Sequence, residues 1–400
     1  MKVLKDSFIY LIGELFAKSL PFLMLPYLTR KLGPEGFGEL SYYLTWLALF
    51  GIFIGLSQEG AVTRYFYFYG KKALNTVVTA GYLYNIVISA ILLLGCWFFQ
   101  AEIMAYIVLA TMFQSFVNVQ LALRQCQKQP FKYITIQIIL SLTNVIFTIA
   151  ALELFSEDLV AYRVLAIVVA NAVTFFIASI VLGNLFSNEN RISIKRLKLG
   201  ALYIFSFGLP LILHQSSFFI KGQLDRLFIY EQYTKTDLGI YSAGVQLATV
   251  LPIILLALNK AILPYYYGQL KQQKLSIQTI KKYTVLCIPL CIIPAAIGFV
   301  LPESIYVWFL GEQYADSKYY VVIYLLGYGA NLPYLMLVNY FFYHGKNFLI
   351  SKITFFSSFI YLILLYLLSR EEIMLIPLAL LVSNFVMVLC LYINLRERNV

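Results

Sequence analysis

Apolar residues of this chain occur in long runs, each of about 20 residues, separated by short polar segments. A run of that length crosses the hydrocarbon core of a bilayer as an α-helix. The alternation of apolar and polar residues that is typical of outer-membrane barrel strands is missing from the sequence. The pattern predicts about twelve spans. They lie at residues 8–29, 39–62, 76–99, 103–123, 133–154, 159–186, 201–229, 238–263, 283–301, 319–342, 348–368 and 373–394.

Composition agrees with this pattern. The chain is 61% hydrophobic and only 12% charged, whereas soluble proteins carry about 25% charged residues. We therefore predict an all-α integral membrane protein.

Charge alternates between successive loops. One set of loops holds most lysines and arginines, including Lys71, Lys72 and the run from Arg191 to Lys198, and the opposite set is acidic. Because positive loops stay in the cytoplasm, both termini are expected to be cytoplasmic. The net charge of +11 then largely reflects the basic residues of the cytoplasmic loops, and no nucleic-acid partner is indicated.

A weak repeat occurs at an offset of about 201 residues. Residues 37–41 (FGELS) align with residues 238–242 (LGIYS), and Glu59 aligns with Lys260. We predict two parallel six-helix lobes, residues 1–190 and 201–400, joined by an amphipathic linker at residues 191–200 on the cytoplasmic surface.

Charged residues within spans are costly in a membrane, so they are candidates for a functional site. We predict that cavity cations bind a phosphate-bearing anion, and that neighbouring acids hold those cations or couple transport to ions. The predicted cations are Lys18, Arg64, Lys221, Arg226 and Lys260. The predicted acids are Glu14, Glu59 and Asp225.

Two other interpretations of these charges remain open. The pairs at helical spacing can brace neighbouring helices, and charges near span ends can reach the membrane surface. Polar stripes raise the same question. Span four carries Thr111, Gln114, Asn118 and Gln125 on one helical face, which suits either a wet cavity or hydrogen bonds between helices.

No enzymatic or metal chemistry is indicated. The sequence lacks a Gly-rich phosphate loop and a G-x-S-x-G motif. Four of the five cysteines lie in apolar runs, and the two histidines cannot by themselves form a metal site. We predict a protein that is not an enzyme and that has no cofactor and no metal.

Three segments resemble the bacterial O-antigen (Wzx-type) polysaccharide flippases. They are residues 27–40 (YLTRKLGPEGFGEL), residues 225–243 with DRLFI and LGIYSA, and residues 308–317 (WFLGEQYADS). The resemblance covers essentially the whole chain and includes the number and orientation of the spans.

This resemblance implies the fold of the multidrug/oligosaccharidyl-lipid/polysaccharide exporter superfamily, a MATE-like V of two six-helix lobes. It also implies a flippase in the bacterial inner membrane. The substrate would be an undecaprenyl-pyrophosphate-linked oligosaccharide, an O-antigen or capsule repeat unit, moved to the periplasmic leaflet by alternating access. Its partners would be membrane lipids and the polymerase and chain-length proteins of lipopolysaccharide biosynthesis.

Two other functions are compatible with the sequence. One is a cation-coupled antiporter of drugs or small molecules with the same fold. The other is a membrane scaffold, or a polymerase of the same pathway, although the short loops argue against a polymerase because they leave no room for a periplasmic domain.

Overall fold

The computed structural model of this chain describes residues 13, 17, 19–180 and 193–395. Within those ranges every regular element is a helix, and eleven segments are long and apolar enough to cross a membrane. These segments correspond to predicted spans two to twelve, so the all-α membrane fold is confirmed. Of predicted span one, residues 8–29, only residues 13, 17 and 19–29 are described.

Sixteen α-helices have bounds within the described residues. Those before residue 190 are α1 (Leu25–Gly55), α2 (Gln58–Tyr69), α3 (Leu74–Phe98), α4 (Glu102–Cys126), α5 (Pro130–Leu154) and α6 (Leu159–Ile180). The following group is α7 (Ile194–Gln232), α8 (Lys235–Ala248), α9 (Val250–Lys271), α10 (Ile277–Leu290), α11 (Ile292–Val300) and α12 (Glu303–Leu310). The last are α13 (Ser317–Gly329), α14 (Asn331–Tyr343), α15 (Asn347–Leu368) and α16 (Ile376–Ile393).

Two backbone irregularities divide the segment from Leu25 to Tyr69. Gly33 has φ 65° and ψ 176°, outside the helical region, and Pro34 follows it. Leu56 and Ser57 have φ of 44° and 51°, so α1 ends and α2 begins at two left-handed residues. Left-handed φ is uncommon for residues other than glycine and costs of order 1–3 kcal/mol per residue. The second break is therefore maintained by its surroundings.

The predicted linker is continuous with span seven. Helix α7 begins at Ile194 and runs for 39 residues, with Pro210 inside it. Residues 194–200 are thus its first two turns, and residues 191 and 192 lie outside the described residues. Ile194 and Leu199 are exposed in these turns, as expected of a helix that contacts lipid.

The chain forms two compact units. Unit one consists of residues 1–25 and 40–216, and unit two of residues 26–39 and 217–400. In unit one, α4 packs on α3 and α6, and α5 packs on α6. In unit two, α13 packs on α8, α11 and α16, and α15 packs on α16.

The repeat at offset 201 coincides with a reciprocal contact inside unit two. A methyl group added at Gly38 would overlap the carbonyl oxygen of Lys235, and one added at Gly239 would overlap the carbonyl oxygen of Pro34. Both pairs, Pro34 with Lys235 and Gly38 with Gly239, are related by the same offset. Repeat-equivalent segments therefore pack backbone against backbone, which only glycine allows at this distance.

The three segments that carry the family resemblance meet in unit two. Lys235 Nζ pairs with Glu39 Oε2 at 3.0 Å. The Arg30 guanidinium donates to the carbonyl oxygen of Trp308, and the Tyr314 hydroxyl donates to that of Thr29 at 3.3 Å. Burial raises the pKa of Tyr314, so its phenol stays protonated and remains a donor. Packing within unit two therefore accounts for the residues in these three segments.

We expect Gly38→Ala and Gly239→Ala each to destabilise the protein by about 1–3 kcal/mol, because the added methyl group forces closely packed backbones apart. The measurement is the unfolding temperature of the purified full chain in detergent. Gly268→Ala is the control, since no heavy atom lies within 4 Å of its added methyl group. If all three variants unfolded at the same temperature, the result would contradict close backbone packing at Gly38 and Gly239.

Candidate functional site

A polar cleft lies within unit one, and we call it the unit-one cleft. Its outer part has a volume of about 510 Å³ and its inner part about 320 Å³, and Glu59 and Asn118 line both. The other polar or aromatic residues of the outer part are Thr63, Arg64, Tyr67, Gln125, Tyr133 and Gln137. Those of the inner part are Ser57, Thr111, Gln114, Ser115 and Gln215.

The break between α1 and α2 shapes the inner part. Ser57 lies at the break, and its hydroxyl accepts a hydrogen bond of 2.7 Å from the Gln215 amide of α7. Helix α7 can approach so closely because Gly208 packs on Leu56, where an added methyl group would overlap the Leu56 carbonyl oxygen. Helix α7 therefore contacts the break at Gly208 and again at Gln215, two helical turns further on, where it forms part of the cleft wall.

The predicted polar stripe of α4 forms the opposite wall. Thr111, Gln114, Asn118 and Gln125 all line the cleft. The Thr111 hydroxyl donates to the Ile107 carbonyl at 2.7 Å. By contrast, the Gln114 and Asn118 amides have no hydrogen-bond partner among the described residues. Amide groups in this state are available to a polar ligand.

Behind the cleft, buried polar groups are paired with one another. The Gln58 amide donates to the Gly81 carbonyl at 3.1 Å and to Asn85 Oδ1, and Asn85 Nδ2 donates to Ser115 Oγ at 2.9 Å. These bonds join α2, α3 and α4. This network was not among the sequence-based predictions, although the amides of Gln58 and Asn85 within apolar runs were a visible signal.

Glu59 and Arg64 lie on one side of the cleft, on α2. The Glu59 carboxylate is half-buried, and no described lysine or arginine lies within ion-pair distance of it. Arg64 is exposed, donates to the Tyr203 hydroxyl at 3.3 Å, and lies over the Phe68 ring at 5.5 Å. Along the helix axis it is about 7.5 Å from Glu59, toward the predicted cytoplasmic end.

The charges of span seven lie in unit two and do not line this cleft. Asp225 is 2% exposed and accepts hydrogen bonds from the hydroxyls of Tyr241 and Tyr324. Arg226 Nη1 is 3.6 Å from Asp225 Oδ1 and donates to the Gly222 carbonyl at 2.8 Å. Both charged side chains thus have their hydrogen-bond and ion-pair partners on α7, α8 and α13.

Lys221 also forms its hydrogen bonds within unit two. Its ammonium donates to Ser357 Oγ at 2.6 Å and to Asn384 Oδ1 at 3.0 Å, which connects α7 to α15 and α16. Asn384 in turn donates to the Gly327 carbonyl of α13 at 3.1 Å. No ion pair joins Lys221 to Asp225 in the part of the chain that the structure describes. This arrangement is the helix-bracing alternative considered for these charges.

The remaining predicted site residues fall in two places. Glu14 and Lys18 lie outside the described residues. Lys260 is exposed on α9 in unit two, and Arg163, a further charge within a span, is buried on α6, where its guanidinium donates to Asn144 Oδ1 at 3.1 Å. Within the described ranges, no three His, Cys, Asp or Glu residues come together as they would to bind a metal.

Comparison with known proteins places this chain among polysaccharide biosynthesis proteins. Residues 3–267 match the family described as "Polysaccharide biosynthesis protein". The chain is 50% identical over 392 residues to "Lsg locus putative protein 1" of Haemophilus influenzae, covering 98% of both chains. It is also 47% identical over 362 residues to an uncharacterized membrane protein of that organism, covering 90% of this chain and 89% of that one.

Solved structures with similar folds are transporters. The lipid II flippase MurJ in an inward closed conformation has a TM-score of 0.71 at 12% identity, over 98% of this chain and 88% of that one. An inward-facing multidrug resistance MATE family transporter of the MOP superfamily has a TM-score of 0.69 at 14% identity, over 93% of this chain and 94% of that one. At these identities the likeness concerns the fold, and it agrees with the predicted superfamily. By sequence and by fold together, the chain belongs to the polysaccharide biosynthesis protein family, and its fold is that of the MOP-superfamily transporters.

Proposed function

We propose that this protein is a flippase for a lipid-linked oligosaccharide in the bacterial inner membrane. The substrate would be an undecaprenyl-pyrophosphate-linked repeat unit of O-antigen or capsule, moved from the cytoplasmic to the periplasmic leaflet. Family membership and the likeness to a lipid II flippase support this proposal at the level of the fold. The polar groups of the unit-one cleft support the proposal chemically, because they can bind a glycan headgroup.

A glycan headgroup that enters the membrane must exchange water for protein hydrogen bonds, because an unpaired hydroxyl in an apolar environment costs several kcal/mol. The inner cleft offers the amides of Gln114 and Asn118, which have no partner in the described part of the chain, and the carboxylate of Glu59. Amides bind sugar hydroxyls both as donors and as acceptors, and a carboxylate accepts hydrogen bonds from them. The volumes of the two parts are in the range of small-molecule sites, about 300–1,000 Å³.

Arg64 is suited to the phosphate end of the same substrate. Its guanidinium is exposed at the outer cleft, near the predicted cytoplasmic surface. Guanidinium groups bind phosphate through paired hydrogen bonds. In this arrangement the pyrophosphate stays near the leaflet surface while the sugars reach the inner cleft. Of the described cations predicted to bind pyrophosphate, we keep Arg64 in this role and assign Lys221 and Arg226 to helix packing. Lys260 does not line the cleft and has no part in this proposal.

We expect the double substitution Gln114→Ala with Asn118→Ala to reduce export of the surface polymer by about tenfold or more, since each lost hydrogen bond is worth about 1 kcal/mol. The variant is tested in a strain that lacks the chromosomal gene, by measuring surface polymer and the lipid-linked glycan left on the cytoplasmic leaflet. Gln272→Ala, on an exposed turn, is the matched control. Normal polymer from the double variant at normal membrane abundance would contradict the assigned role of the cleft.

A second pair of variants separates substrate binding from helix bracing. Arg64→Ala should reduce export with little change in unfolding temperature, because its side chain is exposed. Lys221→Met should lower stability by about 1–3 kcal/mol, because Asn384 Oδ1 loses its donor in a buried site. A Lys221→Met protein that is fully stable yet does not export would instead assign Lys221 to the substrate.

The same cleft also supports a second function, cation-coupled export of small molecules. The observation in its favour is the Glu59 carboxylate, which has no cationic partner among the described residues. Resistance to lipophilic cations on expression, lost in Glu59→Gln, would favour that function. The flippase proposal expects no such resistance.

A further inference from the structure

A second, smaller cavity opens where the first turns of α3 and α7 meet, and we call it the α3–α7 slot. Its volume is about 160 Å³. Val77 and Leu199 supply apolar walls, the rings of Tyr65 and Tyr203 close one side, and Arg196 lies on its lining. The slot is separate from the unit-one cleft and shares no lining residue with it.

Helix packing fixes the shape of the slot. A methyl group added at Gly200 would lie 3.1 Å from Ala80 Cβ and 3.2 Å from the Thr76 carbonyl oxygen, so α7 and α3 are in close contact there. One turn earlier, at Arg196, the side chain is exposed. The Tyr65 and Tyr203 rings meet edge to face at 5.3 Å, and the Tyr65 hydroxyl donates to the Lys72 carbonyl at 3.3 Å. The slot is therefore closed at Gly200 and open toward the start of α7.

The surroundings of the slot are strongly basic. Glu59 is the only acid in residues 56–80 and 193–216. Exposed basic residues in these segments are Arg64, Lys71, Lys72, Lys195, Arg196 and Lys198. Apolar side chains are exposed beside them, with Ile194 at 85% and Leu199 at 67%. Basic side chains next to exposed apolar ones are typical of a surface at the boundary between lipid headgroups and acyl chains.

We propose that the α3–α7 slot binds an anionic phospholipid of the bilayer. Part of one acyl chain lies against Val77 and Leu199, and the phosphate lies on the Arg196 guanidinium. Lys72 and Lys195 add to the positive potential. Charge complementarity selects an anionic lipid, since a zwitterionic headgroup has no net charge to gain from this basic surface. The inference does not depend on the transported substrate, because the slot lies outside the proposed headgroup cleft.

The experiment is native mass spectrometry of the purified full chain in detergent, titrated with phosphatidylglycerol or phosphatidylcholine. The wild-type protein should retain phosphatidylglycerol in preference to phosphatidylcholine. Arg196→Gln should lower phosphatidylglycerol occupancy about fivefold, the effect of one basic residue near a headgroup. Arg196→Lys should keep most of it. Lys352→Gln, at an exposed lysine of α15, is the matched control and should bind as the wild type does.

Three results would overturn the proposal. Arg196→Gln could bind phosphatidylglycerol as the wild type does, or Lys352→Gln could lower binding equally, which would show attraction to charge anywhere on the surface. In a parallel titration with undecaprenyl phosphate, Arg196→Gln could lose the carrier lipid while keeping phosphatidylglycerol. The slot would then belong to the carrier lipid. Helix content by circular dichroism confirms that each variant is folded.

Discussion

Every polar group inside a membrane must find a partner within the protein, because the hydrocarbon offers none. In the described part of this chain, the buried charges of span seven and the amides behind the cleft obey that constraint. Asp225 is bonded by two tyrosine hydroxyls, Lys221 by a serine and an asparagine, and Gln58 by Asn85. Such pairs fix helix against helix. The amides of Gln114 and Asn118 have no hydrogen-bond partner among the described residues, and both line the unit-one cleft.

This constraint limits what charge alone indicates about a functional site. The cost of a charge in the membrane applies equally to a residue that binds substrate and to one that holds helices together. The sequence around Lys221, Asp225 and Arg226 cannot separate these roles, since the partners of Lys221 come from residues 357 and 384, far along the chain. The neutral stripe of α4 is easier to place from the sequence, because its helical spacing puts Thr111, Gln114 and Asn118 on one face whatever the rest of the fold does.

The fold was largely predictable for the same kind of reason. Span length and apolar composition are local properties, so eleven of the predicted spans match described membrane helices. The repeat at offset 201 was weak by identity, yet it places Gly38 and Gly239 at equivalent positions, where backbone contact excludes any larger residue. The assignment of residues 26–39 to the second compact unit was not predictable. It depends on contacts with Lys235, Trp308 and Tyr314, which lie more than 190 residues away.

The break at Leu56 and Ser57 shows where the two repeats differ. Residues 257 and 258 are the equivalents at offset 201, and they lie inside α9, which continues without interruption from Val250 to Lys271. The shared fold therefore does not require a break at this position. Neither Leu nor Ser favours left-handed backbone, so the conformation is maintained at a cost of order 1–3 kcal/mol per residue. Glu59, two residues beyond the break, aligns with Lys260 of opposite charge. The left-handed backbone and the reversed charge thus occur within three residues of each other, at the position where Ser57 and Glu59 line the inner cleft.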